Sequence, residues 1–177
     1  MSTTYKPSLT PEQFNSLLHE GVLVFDGAMG TNLQRQNLTP EAFGGLEGCS
    51  EALNLFCPQA PCKVHADFLR AGCRVVESNS FGATRLVLQE YGLENRVDEI
   101  NRAAIRIARE AIEEARQPHR CFVAASIGPS TKLPTLGHIG FAAMRDIFAE
   151  QVEAQLLGGA DLLIIETCQD LLQIKAA

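Results

Sequence analysis

Residues 22–31 read VLVFDGAMGT, so that four apolar residues lead directly into an aspartate, two glycines and a threonine. An ordinary β-turn needs a single glycine and no particular acid. A binding corner, by contrast, needs a carboxylate at the end of a strand and glycine backbone that a ligand can approach closely. The residues that follow the other apolar runs of the sequence decide between a turn and a binding corner.

Three further apolar runs, at residues 74–76, 121–125 and 162–165, resemble residues 22–25 and show little polar alternation. This pattern is typical of strands that are buried on both faces, as in a parallel sheet. The intervals carry apolar residues at helical spacing, which predicts helices over residues 58–72, 96–115 and 141–158 and a short helix over 10–19 capped by Thr10. Strands that alternate with helices predict a parallel α/β sheet, either doubly wound or part of a (β/α)8 barrel.

Each apolar run ends on polar residues, and this favours the barrel. Asp26 follows the first run, Glu77 the second, Ser126 the third and Glu166 the fourth. The carboxyl ends of barrel strands share one rim, where active sites are built. We therefore predict an α/β fold of the (β/α)8 TIM-barrel type, preceded by a helical lead-in over residues 1–20. A complete barrel takes about 250 residues, so residues 21–177 are expected to form its N-terminal half, about four βα units.

Composition and charge argue against several classes of protein. The formal net charge of −6 and the lack of basic runs argue against a nucleic-acid-binding or membrane-binding surface. The sequence shows no signal peptide and no 18-residue apolar run, so we expect a cytoplasmic protein with reduced thiols. The six cysteines include no C-x-x-C pair, and we expect no zinc site within this chain.

Six segments in collinear order resemble the homocysteine S-methyltransferase family. They are DGAMGT (26–31), LNLFCP (53–58), VHADFLRAGCRVVESNSFGATR (64–85), LQEYGLENRVDEINRAAIRIARE (88–110), SIGPS (126–130) and GGADLLIIETCQDLLQIKAA (158–177). Each motif alone is weak evidence for the family, whereas all of them in the same order along one chain are highly specific for it. The likeness is greatest to family members whose amino-terminal barrel is joined to folate- and cobalamin-binding modules.

The resemblance implies a methyltransferase that methylates homocysteine to methionine. In the family, zinc converts the homocysteine thiol to a thiolate, and methylcobalamin on another module is the expected methyl donor. The zinc cysteines of the family come from later barrel strands, and none of the six cysteines here matches them. The resemblance therefore implies that this chain supplies the amino-acid-binding rim, carries no catalytic or metal-ligating residue, and is inactive alone.

Seven residues match the family's substrate-binding positions: Asp26, Gly27, Ala28, Met29, Ser78, Asn79 and Glu166. The resemblance implies that Asp26 and Glu166 face the α-ammonium group of homocysteine, while backbone N–H groups at residues 27–29 receive its carboxylate. Where family members usually have Thr-Asn-Thr, this chain has Ser-Asn-Ser over residues 78–80, which keeps both hydroxyl groups.

Plainer interpretations stay open. Asp26 could cap the helix that follows Gly27, and Glu166 could interact with a helix dipole. Glu77 could form an ion pair inside the barrel, with Arg74 or with a neighbouring strand. For the whole chain, the alternative is a non-catalytic half-barrel that oligomerises or binds a partner, because its open strand edges would be exposed. A lyase that acts on carbonyl compounds with the same rim acids is a third interpretation.

Overall fold

The computed structural model describes residues 9–177. Its helices and strands are, in chain order, α1 Pro11–Glu20, α2 Met29–Gln34, α3 Leu53–Phe56, α4 Gln59–Arg70, β1 Val75–Glu77, α5 Arg85–Leu88, α6 Val97–Ala115, β2 Phe122–Ile127, α7 Phe141–Gly158, β3 Leu162–Ile165 and α8 Leu171–Ala176. Part of the predicted lead-in, residues 1–8, lies outside the described residues. None of the described helices is long and apolar enough to cross a membrane.

The lead-in helix α1 begins where the sequence predicts. The Thr10 hydroxyl accepts a hydrogen bond from the Gln13 N–H at 3.3 Å, and the Gln13 side chain accepts one from the Thr10 N–H at 2.9 Å. This reciprocal capping box, with Pro11 at the first helical position, fixes the start of the helix. Phe14 and Leu17 then pack α1 against one face of the sheet.

The three strands form a parallel sheet in the order β1-β2-β3. Residues 75–77 pair with residues 122–124, and residues 124–127 pair with residues 162–165. All six residues of β2 are buried, as predicted for a strand covered on both faces. β3 instead alternates between half-buried and exposed residues, because within the described chain only one of its faces is covered.

Residues 22–25, predicted as the first strand, form a single β-bridge between Phe25 and Val75. Three backbone hydrogen bonds hold the run beside β1. The Val24 oxygen accepts from the Arg74 N–H at 2.8 Å and from the Val75 N–H at 3.2 Å, and the Asp26 N–H donates to the Val75 oxygen at 2.9 Å. Val24 is 52% exposed, and within the described chain the run pairs on its β1 side alone. The described residues therefore contain three strands and a bridge, and four complete βα units are not confirmed.

Alternate residues of the strands share one side of the sheet, which we call the inner face. On this face α1 covers an apolar layer made of Val75, Phe122, Ala124, Leu162 and Ile164. Helices α4 and α6 cover the opposite face, where Leu69 and Ile105 pack with Val76 and Val123. Continuing the inner face by two residues on each strand leads to Glu77, Ser126 and Glu166 at the carboxyl ends, each set two residues farther along the sheet than the one before.

Asp161, just before β3, has a buried side chain that joins α6 to β2. Its carboxylate accepts hydrogen bonds from the Arg109 guanidinium at 2.9 Å and from the Val123 N–H at 2.8 Å. We expect Asp161→Asn to lower the free energy of unfolding by about 1.5 kcal/mol, because the ion pair is lost while an acceptor oxygen remains. Chemical denaturation measures this change. The control is Asp98→Asn, which removes an exposed ion pair with Arg102. It should lower the free energy of unfolding by less than about 0.5 kcal/mol. Equal losses for the two variants would contradict the prediction.

Candidate functional site

A cavity of about 410 Å³ lies at the carboxyl ends of the strands. Its lining residues come from the corner after the first apolar run, from the strand ends and from two loops: Gly27, Ala28, Met29, Gly30, Ser50, Glu51, Glu77, Ser78, Asn79, Phe81, Ser126 and Glu166. Six of the seven predicted site residues are in this set, and Asp26 is the exception. The structure thus brings the predicted residues together from distant parts of the chain.

Glu166 follows β3 and reaches the cavity. The Ser126 hydroxyl donates a hydrogen bond to its Oε1 at 2.6 Å, which fixes the carboxylate next to the end of β2. The following helix, α8, begins only at Leu171 and has Asp170 as its N-cap. Glu166 therefore does not lie at a helix N-terminus, and its carboxylate is available to the cavity.

Glu77, the last residue of β1, also lines the cavity. Burial raises the pKa of its carboxyl group to about 7, and the negative charges of Asp26 and Glu166 add to this shift. The ion pair with Arg74 is not formed, because the Arg74 side chain donates to the backbone oxygen of Arg120 at 3.3 Å. Glu77 is therefore a stronger site candidate than the sequence indicated.

Asp26 is turned away from the cavity. Both of its carboxylate oxygens accept hydrogen bonds from the Glu77 N–H at 3.0 Å, and its side chain is 2% exposed. Nδ1 of His65, on α4, lies 3.9 Å from the same carboxylate. Asp26 does not cap α2, whose N-cap is Ala28 without a side-chain hydrogen bond. Asp26 instead joins the corner to β1, and its contact with a substrate stays a prediction.

Ser78 and Asn79 line the cavity and also brace the segments around it. The Ser78 hydroxyl hydrogen-bonds to the Ser80 hydroxyl at 2.7 Å and accepts from the Ser126 N–H at 3.2 Å. The Asn79 amide donates to the Ser50 oxygen at 2.8 Å. Serine in place of threonine therefore leaves these hydroxyl hydrogen bonds in place.

The corner at residues 27–30 forms another wall of the cavity and leads into α2. N–H groups in the first turn of a helix have no helical carbonyl to bond, so they are suited to an anionic group. A Cβ at Gly27 would lie 3.3 Å from the Phe68 ring of α4. Glycine therefore lets the backbone pass close to α4 at this point.

Glu51 also lines the cavity, and sequence reasoning missed it. Its carboxylate accepts a hydrogen bond from the Gly82 N–H at 2.6 Å, and burial raises its pKa. The residue lies in the long connection before α4, where no strand end or periodic pattern points to the site. The only signal was a lone acid within the largely apolar segment CSEALNLF (49–56).

The cavity is suited to a cation that carries hydrogen-bond donors. Three carboxyl groups line it, and the described lining contains no lysine, arginine or histidine. An ammonium group would relieve the repulsion among these acids. Within residues 9–177, no three His, Cys, Asp or Glu side chains are grouped so that they could hold a metal ion.

Comparison with known proteins identifies similar sequences and structures. Residues 23–177 match the family model of homocysteine S-methyltransferase. The chain is 44% identical over 162 residues to methionine synthase of Mycobacterium tuberculosis (strain ATCC 25618 / H37Rv), and this match covers 91% of the chain but 14% of that protein. It is 44% identical over 161 residues to methionine synthase of Mycobacterium leprae (strain TN), which covers 90% of the chain and 13% of that protein.

A solved structure shows the same fold. The homocysteine methyltransferase MmuM from Escherichia coli, in its metallated form, is similar with a TM-score of 0.76 at 27% sequence identity, over 92% of this chain and 60% of that chain. The chain thus spans a small part of the length of the two methionine synthases and somewhat more than half of the length of MmuM. Because the family model matches nearly all of its residues, the chain belongs to the homocysteine S-methyltransferase family.

Proposed function

We propose that this chain binds the amino-acid end of homocysteine in an enzyme that methylates homocysteine to methionine. The chain would be part of a (β/α)8 barrel. The observation that carries the proposal is the acidic cavity at the carboxyl ends of the strands, lined by Gly27, Ala28, Met29, Ser78, Asn79 and Glu166. An α-amino acid carries a cation and an anion on one carbon. The ammonium group would face the carboxylates of the sheet, and the carboxylate would face the N–H groups at the start of α2.

Asp26 has an indirect role in this proposal. Its carboxylate fixes the corner against the backbone of Glu77 and adds negative charge on the ammonium side of the cavity. The corner is thus held in the position in which residues 27–29 line the site.

The activation of the thiol is proposed to come from other parts of the enzyme. All six cysteines are free thiols, and none of them lines the cavity. The described residues 9–177 therefore do not fit the zinc site that the family resemblance implies. We propose that the zinc ligands, the donor methylcobalamin and the folate- and cobalamin-binding modules lie outside this chain, in a cytoplasmic enzyme.

Calorimetry with two ligands tests the proposal. The protein is the native-length polypeptide that contains this chain, and the ligands are L-homocysteine and 4-mercaptobutyrate, which lacks the ammonium group. We expect homocysteine to bind at least about tenfold more tightly, because a charged hydrogen-bonding group is lost in the analogue. Equal affinities would contradict the proposed site. The 177-residue chain alone should form no methionine from homocysteine and methylcobalamin, and detectable methionine would contradict the proposed division of roles.

Exposed apolar side chains favour a second candidate, a non-catalytic interaction module. Leu163 and Ile165 of β3, with Leu171 and Ile174 of α8, are large hydrophobic residues exposed to solvent. Such surfaces on an edge strand favour association with another chain or another segment. Sedimentation of the 177-residue chain distinguishes the cases: a concentration-dependent dimer supports the module, and a stable monomer counts against it.

A further inference from the structure

We propose that Glu77 is a further substrate-binding residue, which contacts the α-ammonium group of the bound amino acid together with Glu166. This inference rests on the proposed function and deepens it. The family resemblance pairs Glu166 with Asp26, whereas the geometry places Glu77 in the direct position and Asp26 behind it.

The position of Glu77 on the sheet carries the inference. Glu77 pairs with Ala124 of β2, and its side chain lines the cavity as those of Ser126 and Glu166 do. Only β2 lies between β1 and β3. Glu77 is level with Ala124 and Leu162, and Glu166 lies four residues farther along β3, so the backbones that carry the two glutamates are about 16 Å apart. Both glutamates line the same cavity, and the charge of Glu166 acts on the Glu77 carboxyl group, so the proposed ammonium group lies between two extended side chains.

The Glu77 carboxyl group has no cationic partner within residues 9–177. The charges that face it are carboxylates, Asp26 from the corner and Glu166 from the end of β3, while Glu51 lines the same cavity. His65 of α4 lies behind Asp26, 3.9 Å from that carboxylate. Burial and the neighbouring charges raise the pKa of Glu77 to about 7. A half-buried acid among like charges is destabilised when ionised, and a cationic ligand relieves this.

Asp26 has the geometry of a positioning residue. Its two oxygens accept from the Glu77 N–H, each at 3.0 Å, and its side chain is almost fully buried. These bonds fix the backbone of Glu77 and therefore the direction in which the Glu77 side chain leaves β1. With a side chain that is 2% exposed and outside the cavity lining, Asp26 acts on the site through Glu77.

Binding of an ammonium group by Glu77 should release a proton. With a pKa of about 7, Glu77 is mostly protonated at about pH 6 and mostly ionised at about pH 8. The bound cation stabilises the ionised form and lowers this pKa. Homocysteine should therefore bind more tightly as the pH rises from about 6 to about 8, and the Glu77 contribution to this dependence should end above that range.

The test compares wild type with Glu77→Gln in the native-length polypeptide. Calorimetry with L-homocysteine and 4-mercaptobutyrate is run at about pH 6, 7 and 8, in two buffers that differ in ionisation enthalpy. At about pH 8, we expect Glu77→Gln to weaken homocysteine binding by about tenfold and to leave 4-mercaptobutyrate unchanged. At about pH 6, the variant should release up to about one proton fewer than wild type on binding homocysteine. Any proton from the thiol is common to both proteins and cancels in this difference.

Glu153→Gln is the matched control, because Glu153 is an exposed acid of α7 and the charge change is the same. It should leave both affinities and the proton release unchanged. If wild type does not prefer homocysteine over 4-mercaptobutyrate, the proposed function fails. If wild type shows the preference but Glu77→Gln keeps it with the same proton release, only the role of Glu77 is overturned. An equal loss for both ligands also overturns it, since this indicates a structural effect.

Discussion

Replacing Asp26 by alanine is expected to weaken homocysteine binding by about a hundredfold, more than the same change at Glu166. Asp26→Ala leaves the buried Glu77 N–H without its acceptor, because both Asp26 oxygens bond to it. The corner at residues 27–29 loses its side-chain link to β1, although the backbone bond from the Asp26 N–H to the Val75 oxygen remains, and the side chain of Glu77 loses its fixed direction. Glu166→Ala removes a single contact at the rim and should weaken binding by about tenfold. Calorimetry on the native-length polypeptide measures both.

Asp26→Asn is the matched variant for this comparison. The asparagine keeps one acceptor oxygen of similar placement, so the corner should stay attached and the loss of affinity should be intermediate. Thermal melting of each variant shows whether the fold survives the change. An equal loss at Asp26 and Glu166, or a larger loss at Glu166, would contradict the ranking and indicate that the corner is held by other contacts.

Gly128→Ala is expected to destabilise the protein by about 3 kcal/mol, the upper end of what overpacking usually costs. A Cβ at residue 128 would lie 2.7 Å from the Phe81 ring and 2.7 Å from the Phe81 backbone oxygen. The ring could move, but the oxygen is held in place because it accepts the Gly128 N–H at 3.0 Å. Relief of the clash therefore breaks this hydrogen bond and shifts the segment at residues 81–82, which borders the cavity. Chemical denaturation measures the loss.

Gly21→Ala serves as the control for this substitution. No atom lies within 4 Å of a Cβ built at Gly21, and the residue is exposed. The expected change is within about 0.5 kcal/mol, as for an ordinary surface position. A loss at Gly128 as small as the loss at Gly21 would show that the segment around Phe81 adapts without cost, and the predicted clash would be wrong.

Local patterns in the sequence were sufficient for the four longer helices, α1, α4, α6 and α7, and for three strands. Thr10 and Pro11 mark the start of α1 because capping depends only on adjacent residues. Gly159, with a φ of 93°, ends α7 because few other residues adopt that backbone conformation. The first apolar run, residues 22–25, resembles the other strands in composition, but it forms only a single bridge to β1. Strand pairing depends on the neighbouring strands, which composition does not show.

The side chains of the site were predictable as a group but not in their individual directions. The rule that polar residues follow parallel strands placed Glu77, Ser126 and Glu166 at one rim without any knowledge of distances. It did not show that Asp26 points toward the backbone of β1, because that direction depends on the Glu77 N–H, which is remote in sequence. The position of Glu51 in the cavity could not be predicted for the same reason, since the Gly82 N–H that binds its carboxylate lies in a different loop.

β2 is the interior strand of the sheet, β1 and β3 flank it, and the site is built across all three. β2 is buried along its whole length and is paired on both sides, so its amide hydrogens can exchange with solvent only when the whole domain unfolds. β3 is paired with β2 alone and is half-exposed within the described chain, so it can open by local fluctuation at lower free energy. β1, which carries Glu77, is paired with β2 on one side and hydrogen-bonded to residues 24–26 on the other, so Glu77 lies on a more firmly held strand than Glu166. A bound amino acid would remain anchored to the β1 side of the site while the β3 side opens and closes.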